Sequence, residues 1–153
     1  MLSIIIPSRN EIFLAKTVDD IFNKAKGKFE VIVILDEHDQ PLIPRPGLRV
    51  IKKEGRPGLR SAINQGVAAA QGEFIMKTDA HCMFGEGFDT ILTESCLEHY
   101  VVIPRRYSLE PKDWSIRTWR PIIDYEYYAF PYIKEVRATR TGGKWHSRRD
   151  ERK

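Results

Sequence analysis

The sequence predicts an α/β domain with a mostly parallel central sheet and helices on both faces. Three observations lead there. Short apolar, β-branched runs recur through the first hundred residues, segments of helical period separate them, and polar clusters follow three of the runs. Runs of that form suit strands buried on both faces, and an intervening helix returns the chain to start the next strand in the same direction.

Leu2-Ser3-Ile4-Ile5-Ile6-Pro7 is the first such run, closed by a polar turn at Ser8-Arg9-Asn10-Glu11. Phe13, Leu14, Val18, Ile21 and Phe22 then recur at helical spacing up to Gly27, which predicts a helix over 11–25. Phe29 to Leu35 is a second buried strand, ending in Asp36-Glu37-His38-Asp39. Gln40 to Gly47 holds three prolines and reads as loop, leading to a short strand at Leu48 to Lys52. After the turn Gly55-Arg56-Pro57-Gly58, Leu59, Ile63, Val67 and Ala70 mark one face of a helix ending near Gly72. Glu73 to Lys77 is the next strand and runs into Thr78-Asp79-Ala80-His81. The pattern then predicts a helix from Phe88 to Tyr100 and a strand at Tyr100 to Pro104. Residues 105–153 are richer in Trp, Tyr and Arg, with strands expected at Tyr125 to Tyr132 and at Val136 to Thr141.

With 153 residues, 42% apolar and 30% charged, the chain suits one globular domain and neither disorder nor a membrane protein. No apolar stretch reaches the roughly 20 residues of a spanning helix. The net charge of +4 is concentrated at one end, where Arg137 to Lys153 holds seven Lys or Arg against Asp150 and Glu151. With no nucleic-acid motif beside it, that excess reads as a solvated edge, and no nucleic-acid partner is expected. Cys82 and Cys96 lack Cys-x-x-Cys spacing, and no secretory signal precedes them, so free thiols in a reducing, cytoplasmic setting are expected.

Ligands of open α/β sheets bind at the carboxyl ends of the strands, where strand order reverses. The three polar clusters, Pro7 to Glu11, Asp36 to Asp39 and Thr78 to His81, all stand at such ends. One alone would serve as a helix cap; three together favour a binding site. Asp79 and His81, two apart, could point the same way toward one ion in an extended or tightly turned backbone. A carboxylate oxygen with an imidazole nitrogen suits Mn²⁺, and Mg²⁺ less well. On spacing alone, however, a helix cap plus a surface histidine reads better for this triplet. Arg56 and Arg60 flank Gly58 before a helix, where a guanidinium could pair with phosphate; taken singly, each reads as a surface arginine. Neither a phosphate-binding Gly-x-x-x-x-Gly-Lys-Ser/Thr loop nor Gly-x-Gly-x-x-Gly after a strand is present.

Taken in order, Ser3 to Glu11, Phe29 to Asp36, Arg56 to Ala62, Gly66 to Phe74 and Thr78 to Cys82 resemble the donor half of family-2-like glycosyltransferases. That family has the GT-A fold, a Rossmann-like arrangement for nucleotide-diphospho-sugars. The stretch from Arg56 to Cys82 is similar to polypeptide N-acetylgalactosaminyltransferases, which carry Asp-x-His where most relatives carry Asp-x-Asp. The resemblance implies a UDP-sugar donor, a hydroxyl acceptor on a glycan, lipid or protein, and Mn²⁺ or Mg²⁺ at Asp79 and His81. It further implies that Pro7, Arg9 and Glu11 border the nucleoside, Asp36 the base or ribose, Arg60 the donor, and Asp79 the diphosphate.

The resemblance covers residues 2–104, which are expected to form the donor-binding region; 105–153 would begin the acceptor side of the same domain. Family catalytic domains are longer, so the expectation is a fold incomplete at its C-terminal side. No catalytic base is assigned: Asp124, Glu126 and His146 qualify by residue type alone. Two other readings stand beside transfer: a binding module that holds the donor without transferring it, and a nucleotidyltransferase, which lacks its usual Gly-rich basic turn here. Trp114, Trp119, Tyr125, Tyr127, Tyr128 and Trp145 are read as core or strand residues, with self-association expected if they are exposed.

Overall fold

Ile4, Ile5 and Ile6 are each fully buried, and alternation sends them to opposite faces of one strand, which therefore lies at the centre of a sheet covered on both sides. The computed structural model describes residues 1–120 and, beyond them, the strands Tyr125–Ala129 and Lys144–Arg148. It divides into two compact units, Met1–Tyr100 and Val101–Lys153.

In the first unit, β1 (Leu2–Ser8), β2 (Phe29–Leu35), β3 (Leu48–Lys52) and β4 (Phe74–Lys77) form a parallel sheet in the order β3-β2-β1-β4. On one face α1 (Leu14–Lys24) sets Leu14, Val18 and Ile21 against Ile4, Ile6, Val31 and Val33. Phe88, which opens α3 (Phe88–Ser95), belongs to the same cluster. On the other face α2 (Leu59–Ala69) brings Ala62 onto Ile32 and Ile34. The expected fold class is observed, with helices on both faces.

Gly66 shows how closely α2 lies on the sheet. A Cβ there would stand 2.4 Å from Ile5 Cγ2. We expect Gly66→Ala to destabilise the chain by about 1–3 kcal/mol through overpacking, despite alanine's better helix propensity. A urea midpoint at or above the native value would contradict this.

Three helix ends differ from the pattern, each through a named hydrogen bond. α1 begins at Leu14 rather than at residue 11. Asn10 adopts a left-handed φ of 54°, and the Glu11 carbonyl is taken by Gln40 Nε2 at 2.7 Å as well as by Leu14 N at 3.2 Å. α2 stops at Ala69, short of Gly72, where Gln71 N turns to Glu30 Oε1 (2.7 Å) and Gly72 N to Ser3 Oγ (2.8 Å). α3 ends at Ser95, not at Tyr100. There Thr93 and Ser95 hydroxyls donate back to carbonyls of the preceding turn, a competition that weakens a helix terminus.

The expected strand at Tyr100 to Pro104 is not formed: this segment has no ladder partner, and Val101 is 88% exposed. In the second unit, β5 (Leu109–Glu110) pairs antiparallel with β6 (Ser115–Ile116), and β7 (Tyr125–Ala129) with β8 (Lys144–Arg148). β7 covers the first part of the strand expected at Tyr125 to Tyr132, whereas β8 was not anticipated. The strand expected at Val136 to Thr141 lies outside the described residues, as does Asp124. Glu126 and His146 occupy neighbouring register positions, Glu126 opposite Ser147 and His146 opposite Tyr127. Trp119 is no core residue: it is 72% exposed, with the Arg117 and Arg120 guanidiniums 5.9 and 5.0 Å from its ring centroid. Among the described residues no helix is long and apolar enough to cross a membrane.

Candidate functional site

From β1 the chain winds through α1 to β2 and on to β3, then crosses back through α2 to β4 on the far side of β1. The order therefore reverses between β1 and β4, and the carboxyl ends of these two strands frame the crevice in which such sheets hold ligands. All three polar clusters stand on the adjacent strands β2, β1 and β4. Parallel pairing carries them to the same edge of the sheet.

Beyond β4, burial alternates: Thr78 and Ala80 are buried, while the side chains of Asp79 and His81 are 52% and 56% exposed. Asp79 and His81 thus both present their side chains to solvent, between and beyond neighbours that are buried. Thr78 N donates to Ile5 O at 3.1 Å, extending the β1 pairing to the edge of the triplet. Past the triplet, α1 takes over as anchor. Cys82 N donates to Thr17 Oγ1 (3.0 Å) and Phe84 N to Asp20 Oδ2 (2.6 Å), so two α1 side chains fix the turn that carries His81. Both cysteines are free thiols of intermediate exposure.

Each member of the pair has a partner within the chain. The Lys77 ammonium donates to Asp79 Oδ1. His81 Nδ1 lies 2.9 Å from Glu11 Oε2, a contact that bridges the β1 and β4 ends. Glu11 is itself held in place, because its Oε1 accepts from Phe13 N at 3.2 Å and Gln40 spans its carbonyl and the Ser8 hydroxyl (2.8 Å).

The other expected site residues are placed differently from one another. Pro7, half-buried, lies within β1 one residue from its end. Arg9, exposed, pairs with Glu37 and so links the ends of β1 and β2. Arg60 is the exposed second residue of α2, and Arg56 stands exposed in the turn before it. Asp36 is buried, its Oδ2 accepting from Gly58 N at 2.9 Å and its Oδ1 lying 3.7 Å from Lys53 Nζ. Lys53, whose side chain is only 1% exposed, also donates to the carbonyls of Glu54 and Arg56. Asp36 thus anchors the turn before α2, where Gly58 takes φ 150°, ψ 142°, a conformation open to glycine.

Four residues that organise the site went unremarked in the sequence: Thr17, Asp20, Gln40 and Lys53. Thr17 offered a signal, as a polar residue within the apolar stripe Leu14, Val18, Ile21. Gln40 offered none, since its partners Ser8 and Glu11 lie at the end of another strand, and neither did the pairing of Lys53 with Asp36.

Among the described residues no three His, Cys, Asp or Glu side chains gather closely enough to hold a metal ion unaided. Asp79 and His81 fit a different arrangement, in which two exposed protein donors share a cation with ligand oxygens. A carboxylate behind the imidazole is what a metal-binding histidine ordinarily carries.

The sequence matches the model of the family described as glycosyl transferase family 2 over residues 3–150. No curated protein matches it. Among solved structures, it is similar to the mannosyltransferase PcManGT from Pyrobaculum calidifontis in complex with GDP-Man and Mn²⁺, at 20% identity and a TM-score of 0.53. That match covers 74% of this chain and 36% of the other. The crystal structure of S. aureus TarS matches over 61% of this chain and 19% of its own, at 20% identity and a TM-score of 0.46. The chain thus spans about a third or less of the length of these two proteins.

Proposed function

Because the chain belongs to glycosyl transferase family 2, we propose that it binds a nucleoside-diphospho-sugar at the β1/β4 crevice and serves transfer of the sugar to a hydroxyl acceptor. The observation that carries this reading is the meeting of Glu11 and His81, beside Asp79, where the strand order reverses. In transfer the bond between the anomeric carbon and the diphosphate oxygen breaks, a bond to the acceptor oxygen forms, and the acceptor proton leaves to a base. Asp79 and His81 would hold a divalent cation, which would supply Lewis-acid stabilisation of the departing diphosphate. Arg60, at the start of α2, is suited to pair with donor oxygens, and Arg9 with the nucleotide once it releases Glu37.

UDP is the proposed carrier, supported by the likeness of the Arg56 to Cys82 region to polypeptide N-acetylgalactosaminyltransferases; the sugar is then a hexose or N-acetylhexosamine. GDP-mannose is the natural competitor to test, being the donor bound by the mannosyltransferase of similar fold. Asp36 supports the base or ribose only from behind, because its carboxylate is engaged by Gly58 and Lys53.

A donor-binding module without transfer is the second reading. It is favoured by the five strand-end carboxylates Glu11, Asp36, Glu37, Asp39 and Asp79, each already engaged by a neighbouring group, which leaves none of them as a ready base.

Calorimetry with UDP, GDP, UDP-sugars and GDP-mannose, with Mn²⁺ or with chelator, tests both readings. Mn²⁺ alone is expected to bind weakly, and Mn²⁺ and UDP to strengthen each other by at least about tenfold, equivalent to about 1.4 kcal/mol of coupling. Independence of the two would remove the shared site. Mn²⁺-dependent release of UDP from a UDP-sugar would decide for transfer over binding alone.

A further inference from the structure

Glu11 and His81 are 70 residues apart in sequence and 2.9 Å apart in space. An ionised carboxylate only accepts hydrogen bonds, so the ring nitrogen facing Glu11, Nδ1, is the one that carries the proton. A neutral imidazole has one N–H, which leaves Nε2 with a free lone pair. We propose that Glu11 is a positioning residue for His81, fixing the Nδ1–H tautomer and the ring orientation so that Nε2 is the nitrogen offered to a divalent cation. The inference rests on the reading of Asp79 and His81 as cation ligands. It gives Glu11 a task other than bordering the nucleoside.

The surroundings of Glu11 suit that task. Its side chain is only 26% exposed, and its second oxygen is held by Phe13 N at the entrance to α1. Its backbone is tied by Gln40 and Leu14. On the other side, Thr17 and Asp20 hold the turn that follows His81. Both partners therefore stand on α1 or on backbone bonded to it, and their separation is set by one rigid element. Carboxylate partners of metal-binding histidines typically govern metal affinity by about 10–100-fold.

The test uses the whole chain as native, Glu11→Ala, Glu11→Gln and His81→Ala. Ring-nitrogen NMR of the metal-free protein at mildly alkaline pH reads the His81 tautomer. Mn²⁺ titration in the presence of UDP, followed by the electron paramagnetic resonance of the free aqueous ion, reads affinity. The native ring is expected as Nδ1–H. Glu11→Ala should lose that preference and weaken Mn²⁺ binding about 10–100-fold. Glu11→Gln has one acceptor oxygen for the two donors that Glu11 serves, Phe13 N and Nδ1–H, so its affinity should follow its tautomer: near native where Nδ1–H is kept, reduced where the amide NH2 faces Nδ1 instead. That comparison decides the matter even if the alanine variant does not fold: a Gln variant that loses Nδ1–H at native affinity, or loses affinity with Nδ1–H intact, overturns the proposal. So does a folded Glu11→Ala protein in which either tautomer or affinity is native; a fall in affinity with the tautomer intact would mean that Glu11 binds the cation directly. Failure of the underlying reading shows separately, as a His81→Ala protein that binds Mn²⁺ like the native chain.

Discussion

Asp79→Ala is expected to weaken Mn²⁺-dependent UDP binding by about a hundredfold, near 2.7 kcal/mol, while leaving the unfolding midpoint within about 0.5 kcal/mol of native. The asymmetry follows from where the side chain sits. Asp79 is half exposed, and its partner within the chain is Lys77, whose side chain is 37% exposed, a surface pair worth about 0–1 kcal/mol to the fold. On the proposed reading its carboxylate would be the negative donor of the Asp79/His81 pair, so a cation shared with a diphosphate would lose its strongest protein ligand on truncation. The neighbouring Thr78 and Ala80, both buried, keep the backbone in place in the variant. Isothermal titration with UDP at saturating Mn²⁺, beside a urea melt, separates the two effects. Native affinity in the variant would sink the metal assignment, and a collapsed midpoint would mean that Asp79 supports the fold instead.

The largest effect on stability is expected at the opposite edge of the sheet. Glu30, buried near the start of β2, accepts from Ser3 Oγ (2.6 Å) and Gln71 N (2.7 Å), with Arg49 Nη1 at 3.3 Å. Burial pushes its carboxyl upward, but the bonds from Ser3, Gln71 and Arg49 together outweigh it and hold the group below its ordinary range. Glu30→Ala should cost about 3 kcal/mol, because it leaves the buried Ser3 hydroxyl and the part-buried Gln71 amide without their acceptor and removes the bond that ends α2. The pH dependence has a definite sign. A carboxyl whose folded value is depressed contributes stability that is complete above its unfolded value, about 4.3, and is lost as pH falls through the folded value. The native chain should therefore lose stability in acid below about pH 4, and Glu30→Gln should flatten that limb. Denaturant midpoints of native and Gln variants across the acid range check this; parallel curves would refute the assignment.

How much of this was legible in the sequence differs element by element. The strands β1 to β4 and the bodies of α1 and α2 follow from periodicity, since alternation and helical spacing are properties of the local backbone. Helix ends were less legible because their terminators are distant. α2 ends where Glu30, 41 residues before Gln71, draws its amide away. Tyr100 to Pro104 carries the residue types of a strand, yet a strand needs a ladder partner and none is described there.

The candidate site divides the same way. That Asp79 and His81 could point the same way was readable from their spacing, and that three polar clusters close three strands was readable from their order. The engagement of Asp36 by Gly58, 22 residues on, and by the buried Lys53 was not. Nor was the meeting of Glu11 with His81.

The sequence by itself therefore determined the α/β class and the strand-end location of the polar residues. Those depend on backbone periods of a few residues. Only the tertiary structure decided that β1 and β4 are neighbours, that order reverses between them, and which carboxylate stands behind the imidazole. Strand order is a property of how both sheet faces are covered at once, and a hydrogen bond across strand ends exists only after that packing has chosen the neighbours.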